Sequence, residues 1–140
     1  MNREIKFRGR RVDNNKWVFG EIFLRERLMA KYENEYMPPR EWIEKYALIY
    51  EDNVENHSEE YPTKFIEVDI ETIGQYTGLK DKNGVEIYEG DILREYSNKI
   101  VDWVVSYSYG KFIGRIYDVC YDLDELASLE VIGNIYENAN

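Results

Sequence analysis

Glu86, Glu89 and Asp91 are the acidic side chains whose spacing could support chemistry, since all three fall within six consecutive positions. Divalent cations prefer several oxygen ligands, so such a cluster could hold a metal ion and serve a metal-dependent hydrolase. The calcium-loop pattern is absent, because a loop with Gly84 as its glycine would place its first ligand on Leu79. Acidic residues near a turn are more often solvated. We therefore expect no metal, no cofactor and no catalytic residue, and we keep the hydrolase as an alternative.

Cys120 and His57 are the other residues with catalytic potential, and each is the only one of its type. They lie 63 positions apart in different contexts, so a Cys–His pair has no local support. Cys120 falls in an apolar strand pattern, which favours a buried structural thiol. His57 falls in the polar, acidic stretch 51–60, which favours an exposed loop. A single cysteine excludes an intrachain disulfide and fits a reducing compartment.

The first twenty residues are basic in an otherwise acidic chain. Their local charge is +4, whereas the whole chain carries −10 and the other 120 residues therefore carry −14. A strongly acidic protein repels a phosphate backbone, which makes nucleic acid the less favoured partner. If nucleic acid binds, we expect the basic N-terminal strand to contact it. The candidate binding residues in this region are Arg8, Arg10, Arg11 and Trp17.

Tyrosine is unusually frequent, with thirteen copies in 140 residues, and aromatic residues favour β structure. A tyrosine-rich surface can bind partners, because the ring buries area while its hydroxyl stays hydrated. Tyrosines that line half-exposed strands are the simpler interpretation. Tyr76 and Tyr88 are the tyrosines that we consider as candidate binding residues.

Asn83-Gly84 is the strongest local structural signal in the chain. A two-residue type I′ turn needs positive φ at both central positions, which asparagine tolerates and glycine adopts freely. The pattern predicts a β-hairpin with arms at 75–81 and 86–88. Gly90 predicts a second tight bend before a strand at 91–96.

The rest of the sequence predicts further strands and one or two short helices. Alternation at 3–8 and the aromatic run 17–24 predict an N-terminal β-hairpin. Residues 25–63 are the least β-like part, and apolar residues at helical spacing there predict a short helix over 40–50. Downstream, the patterns predict a strand at 63–68, a capped helical turn at 69–72, a second hairpin at 100–107 and 112–119, a helix at 123–128 and a strand at 130–136 with a bulge at Gly133.

Length and composition predict one folded protein with a mainly β (α+β) fold. Hydrophobic residues make up 44% of the chain, enough to form a core without disulfides. We divide it into residues 1–66, an N-terminal hairpin with a variable segment, and residues 67–140, a β-rich core. No stretch approaches the roughly 20 apolar residues of a membrane-spanning helix, and the N-terminus lacks a secretion signal. We therefore expect a soluble protein with no membrane partner.

Four parts of the sequence resemble the YopX family of phage and prophage proteins. They are 5–20, with its Lys-Phe-Arg-Gly-Arg and Trp-Val-Phe-Gly motifs, the signature 73–93, the aromatic pair Trp103 and Phe112, and the ending 131–138. Gly74, Gly78, Gly84, Gly90 and Gly133 match the family signature, and we expect them, with Asn83, to be structural turn residues.

The resemblance implies a small SH3-like β-barrel in the C-terminal part, action in the host bacterial cytoplasm, and assembly into a homo-oligomer. It implies no activity, because the family has no established biochemical function. With no catalytic motif and a charge of −10, we expect a non-catalytic protein-binding or adaptor module whose unknown host or phage partner is basic. A nucleic-acid-binding protein and a metal-dependent hydrolase are the alternatives.

Overall fold

The computed structural model describes residues 4–34, 36–51 and 65–137, and most of the regular structure in these residues is antiparallel β-strand. The chain forms two compact units. The N-terminal unit is Lys6–Ile73, and the C-terminal unit is Gly74–Asn140 together with Met1–Ile5. The observed division thus falls at Ile73, compared with the predicted division at 66. The predicted mainly β class is confirmed.

The N-terminal unit contains four consecutive strands paired in the order β4-β3-β2-β1, all antiparallel. They are β1 (Phe7–Arg10), β2 (Trp17–Leu28), β3 (Ile43–Tyr50) and β4 (Phe65–Val68). The predicted N-terminal hairpin is confirmed as β1 and β2, although β2 extends beyond the predicted end at 24. The predicted loop at 51–60 and its His57 lie almost entirely outside the described residues.

The helix predicted over 40–50 is wrong. A single 3-10 turn at Arg40–Trp42 leads directly into β3, which pairs with β2 along its whole length. The aromatic residues of this segment do recur at helical spacing, but Ala47 and Ile49 alternate with period two and are both completely buried. Pairing with a strand about twenty residues earlier in the chain decides the outcome, and a local periodicity contains no information about that pairing.

The core of the N-terminal unit lies on one face of this sheet. Val18 of β2, Ala47 and Ile49 of β3 and Val68 of β4 form the buried cluster, with Ile22, Ile66 and Ile73 packed against it. The predicted helical turn at 69–72 is confirmed at Ile70–Thr72. Asp69 caps it, because its Oδ1 accepts a hydrogen bond of 3.1 Å from the Glu71 amide.

The C-terminal unit begins with the central hairpin and continues into a five-stranded antiparallel sheet in the order β10-β9-β8-β7-β11. The hairpin arms, β5 and β6, confirm the predicted arms. The strands are β5 (Gly74–Lys80), β6 (Glu86–Tyr88), β7 (Asp91–Tyr96), β8 (Ile100–Ser108), β9 (Lys111–Ile116), β10 (Val119–Asp122) and β11 (Glu130–Asn134). The only α-helix of the described residues, α1, spans Leu123–Leu126.

The predicted SH3-like barrel is not confirmed. The five-stranded sheet is open, because β10 and β11 are its two edges and do not pair with each other in the described residues. Its core contains Ile87, Leu93, Trp103 and Val105, and α1 covers it with Leu123 and Leu126. The second hairpin is confirmed as β8 and β9. The return strand is shorter than predicted, because the chain reverses again between Ile116 and Val119.

The central turn is not the predicted type I′ turn. Gly84 has positive φ (80°), but Asn83 does not. The Asp81 amide donates to the Val85 carbonyl at 2.8 Å and the Gly84 amide donates to the Asp81 carbonyl at 3.1 Å, which gives a three-residue loop. The turn changes because the Asp81 carboxylate, only 6% exposed, accepts hydrogen bonds from the Asn83 and Val85 amides.

Candidate binding surfaces

Two of the three acidic residues at 86–91 accept hydrogen bonds from backbone amides of the C-terminal unit. Asp91 is 1% exposed, and its Oδ2 accepts a 2.7 Å hydrogen bond from the Tyr88 amide. Glu89 Oε1 accepts a 3.1 Å hydrogen bond from the Gln75 amide. No group of three or more His, Cys, Asp or Glu side chains in the described part of the chain could hold a metal ion. The described residues therefore provide no ligand set for the hydrolase alternative.

Two of the predicted binding residues, Tyr76 and Tyr88, are buried, at 5% and 2% exposure. Their rings pack on each other across β5 and β6 with centroids 5.4 Å apart. Burial leaves neither ring open to a partner.

The arginines of the N-terminal strand, which the sequence indicates as candidate binding residues, do not form a row of exposed cations. Arg8 is 6% exposed, with its guanidinium 4.8 Å from the Trp17 ring centroid. Arg10 is half-buried, and its amide donates to Thr72 Oγ1 at 2.9 Å. Arg11 makes two hydrogen bonds to Asp13, which raise the pKa of Arg11 and lower the pKa of Asp13.

The signature glycines lie in turns, at a β-bulge or where the backbone is closely packed. Gly84 and Gly90 lie in turns with positive φ, as predicted, whereas Gly78 and Gly133 have positive φ inside strands. Gly133 marks the predicted bulge, since the pairing of β11 with β7 shifts between Val131 and Gly133. Gly74 lies in β5, where a Cβ would come within 2.6 Å of the Glu89 carbonyl oxygen.

Cys120 is exposed on β10, so the predicted buried thiol is wrong. Every residue of β10 is exposed, because this short strand lies at the edge of the sheet. The helix predicted at 123–128 is shorter than expected. Asp122 occupies its N-cap position without a capping hydrogen bond, and instead its carboxylate forms an ion pair with Lys111 at 2.5 Å.

One face of the N-terminal sheet carries aromatic and arginine side chains, and no sequence pattern had indicated it. The strand register places these residues on the face opposite the buried cluster. We call it the aromatic–arginine face after its aromatic and arginine members Trp17, Phe19, Phe23, Arg25, Arg27, Tyr46, Tyr50 and Phe65. The same register also places Arg8, Arg10, Glu21, Glu44, Leu48 and Glu67 on this face. The face contains no lysine.

Phe65 connects the rings of this face. It contacts Phe23 with centroids 5.4 Å apart and Tyr50 with centroids 5.2 Å apart, both edge to face. The Phe65 side chain remains 47% exposed, and the Arg25 guanidinium lies 5.4 Å from the Phe23 ring centroid. An apolar cluster with an exposed cation beside it is thus open at this surface.

The side-chain contacts of Arg27 connect three strands, β2, β3 and β4, at the other end of the face. Its Nε donates to Glu44 Oε1 at 2.7 Å, and its two terminal nitrogens donate to Glu67 at 2.8 and 3.2 Å. The hydrogen bonds to Glu67 and Glu44 raise the pKa of Arg27. Its guanidinium also lies 4.5 Å from the Tyr46 ring centroid. The Arg27 guanidinium is therefore occupied by hydrogen bonds to carboxylates of its own sheet.

An open cavity of about 310 Å³ adjoins Arg27 in the same unit. Its lining is mostly polar and charged, and small-molecule sites are mostly apolar with few polar groups. The lining includes Arg11, Arg27, Lys45, Glu44, Glu67 and Asp69. Both of its arginines are already paired with acidic residues, so we assign no ligand to this cavity.

Comparisons with known proteins identify the family. The chain is similar to the crystal structure of protein EF1440 from Enterococcus faecalis, at 24% identity over 98% of this chain and 96% of that chain, with a TM-score of 0.49. The search of curated proteins gave no match. The profile described as YopX protein matches residues 6–140. The chain therefore belongs to the YopX family.

Proposed function

We propose that this YopX-family protein is a non-catalytic protein-binding module, and that its aromatic–arginine face binds a folded protein partner. The observation that carries the proposal is the half-exposed Phe65 ring at the centre of an aromatic cluster on an otherwise folded sheet. In keeping with the family, the protein is phage- or prophage-encoded and acts in the cytoplasm of a bacterial host.

The composition of the face supports this function. Protein interfaces are enriched in aromatic residues and arginine and depleted of lysine and glutamate, and hot spots cluster where aromatic rings become fully desolvated. The face has no lysine, and two of its three glutamates, Glu44 and Glu67, are paired with Arg27. Covering the exposed part of Phe65 would remove roughly 100 Å² of apolar surface from water, which is worth about 2.5 kcal/mol. Arg25 lies over the neighbouring Phe23 ring and can add a charge-assisted hydrogen bond to a partner carbonyl or carboxylate.

The same face is poorly suited to nucleic acid. Phosphate binding needs arginines and lysines that can exchange their counterions for phosphates. On this face Arg27 is held by two glutamates, and elsewhere in the N-terminal unit Arg11 is held by Asp13. The chain as a whole carries −10. A protein partner therefore fits the observations better, and the overall charge favours one with a basic surface around its contact site.

Photo-crosslinking followed by reconstitution tests the proposal. A photo-reactive phenylalanine analogue at position 65 should crosslink a host or phage protein in cells, whereas the same analogue at position 24 should not. Leu24 is the matched control, because it is 61% exposed on the opposite face of the same sheet. The crosslinked protein is then purified and its affinity for the unmodified chain is measured.

We expect Phe65→Thr to weaken that complex by about tenfold or more, equivalent to about 1.4 kcal/mol, and Leu24→Thr to change it less than about twofold. Threonine keeps the β propensity at both positions. Equal effects of the two substitutions would refute the assignment of the face. Crosslinking only to nucleic acid, or only to a second copy of the chain, would refute the proposed class of partner.

A further inference from the structure

The two edge strands of the five-stranded sheet in the C-terminal unit differ in how well they are protected from pairing with another chain. An edge strand presents backbone N–H and C=O groups that can pair with another chain, and proteins usually block such an edge with bulges, lysine, proline or covering segments. β11 has a bulge at Val131–Gly133. Its Val131 amide donates to Asp81 Oδ2 at 2.9 Å, and the preceding Leu129 carbonyl accepts from the Lys82 amide at 3.2 Å. The β11 edge is therefore protected.

The β10 edge is only four residues long, but the described residues give it neither a bulge nor a lysine nor a proline. Residues 119–122 contain no proline and no lysine, their register with β9 is regular, and all four are exposed. Among the described residues, β9 is the only strand that pairs with β10. Val119 and Tyr121, on one face of the strand, are 49% and 48% exposed.

The register fixes which backbone groups of β10 point outward. A two-residue loop joins Ile116 to Val119, and such a loop closes on a pair that exchanges both hydrogen bonds. Because antiparallel pairs alternate, Val119 and Tyr121 bond to β9, whereas Cys120 and Asp122 direct their N–H and C=O groups away from it. These outward groups are available to a further strand.

The charge at this edge indicates what such a strand should contain. Asp118, Asp122, Asp124 and Glu125 lie within eight positions and are all exposed. Even with Lys111 and Arg115 of β9 counted, these residues carry a net charge of −2. We propose that β10 binds an extended, basic segment of another protein as an added β-strand, with main-chain hydrogen bonds providing affinity and the acids providing preference for lysine or arginine.

A second copy of this chain is a poorer occupant. If two β10 strands pair antiparallel about Cys120, Asp118 of each copy lies opposite Asp122 of the other. Like charges directly opposite each other destabilise a strand pair. This surface belongs to the C-terminal unit and is independent of the aromatic–arginine face, so neither proposal requires the other.

Fluorescence anisotropy with short labelled peptides tests this inference on the full chain. The probes are a peptide of alternating lysine and valine, its counterpart of alternating glutamate and valine, and a lysine–valine peptide with N-methyl groups on alternate amides. We expect saturable binding of the first probe only, weakened by added salt. N-methylation removes the backbone donors of one peptide edge but keeps the charge, so it should weaken binding by about tenfold or more.

Cys120→Pro and Cys120→Ser form a matched pair of variants. Both lose the thiol, but only proline removes the outward N–H, and an outward-facing edge position tolerates proline. We expect Cys120→Pro to weaken binding of the lysine–valine peptide by about tenfold or more, and Cys120→Ser by less than about twofold. The N-methylated peptide decides the matter if Cys120→Pro does not fold. Equal binding of the basic and acidic peptides, indifference to N-methylation, or a solution dimer that Cys120→Pro converts to a monomer would overturn the proposal.

Discussion

The Asp81 carboxylate connects the central turn to strand β11, and its removal should destabilise the C-terminal unit. Oδ1 accepts hydrogen bonds from the Asn83 and Val85 amides at 2.8 and 2.9 Å, and Oδ2 accepts one from the Val131 amide at 2.9 Å. Asp81→Asn keeps the shape but replaces one acceptor by a donor, so at least one of these amides faces another N–H group. Since hydrogen bonds to charged groups contribute about 1.5–3 kcal/mol each, we expect a loss of about 2–3 kcal/mol at neutral pH.

The same contacts make this contribution depend on pH. Burial acts to raise the pKa of Asp81, but the hydrogen bonds from the Val131, Val85 and Asn83 amides outweigh burial and hold the pKa below its ordinary value. A carboxyl whose pKa is lower in the folded than in the unfolded state stabilises the fold fully above the unfolded pKa, which is about 3.9 for aspartate. This stabilisation is lost as the pH falls through the lower, folded value. The penalty of Asp81→Asn should therefore be full at neutral pH and shrink on acidification.

Urea unfolding of the wild type, Asp81→Asn and Asp118→Asn at neutral and acidic pH measures both effects. Asp118 is the control because it is exposed in the turn before β10, and its substitution should change the free energy of unfolding by less than about 0.5 kcal/mol. Amide hydrogen exchange at Val131 adds a local readout, since Asp81→Asn should reduce protection there. A penalty equal to that of Asp118→Asn, or one that does not change between neutral pH and about pH 2, would refute this account of the turn.

Two further predictions concern the signature glycines and the cysteine. Gly84→Ala should lower the free energy of unfolding by about 1 kcal/mol from positive φ alone, since nothing lies within 4 Å of the added Cβ. Gly74→Ala should lower it more, because its Cβ meets the Glu89 carbonyl oxygen at 2.6 Å. Thermal or urea unfolding of the two variants measures the difference, and equal losses would contradict this prediction. Cys120 should react with a thiol reagent in the native protein nearly as fast as in denaturant, because it is exposed on an edge strand; strong native protection would show that β10 is covered.

The sequence predicts the central hairpin well but its turn poorly. The β-rich arms of Asn83-Gly84 are found where expected, because strand propensity and the turn signal agree over this short range. The turn type depends on Asp81, whose second oxygen bonds to Val131 fifty residues later in the chain. That contact holds the side chain in the geometry that also captures the Asn83 and Val85 amides. A dipeptide preference does not include such a long-range constraint.

The wrong helix prediction over 40–50 also comes from a long-range contact that local sequence does not encode. It prevented the sequence from indicating the aromatic–arginine face. If this segment is interpreted as a helix, Tyr46 and Tyr50 cannot be assigned to a sheet face, and the ring contact between Tyr50 and Phe65 cannot be predicted. Cys120 was misplaced for a related reason, since an apolar pattern fits an edge strand as well as a central one. Both errors concern which strands are neighbours, a property of topology rather than of local composition.

The pattern of β2 is itself an argument for a binding role of the aromatic–arginine face. A sheet with one buried face usually carries polar residues on the other. β2 directs Val18 and Ile22 toward the buried cluster, yet it also places Phe19 and Phe23 on the opposite face. These rings are not members of the buried cluster, and large apolar side chains on an outer face increase the risk of aggregation. Their presence beside Phe65 is consistent with the proposed partner-binding role of this face, and the crosslinking comparison between positions 65 and 24 tests that proposal directly.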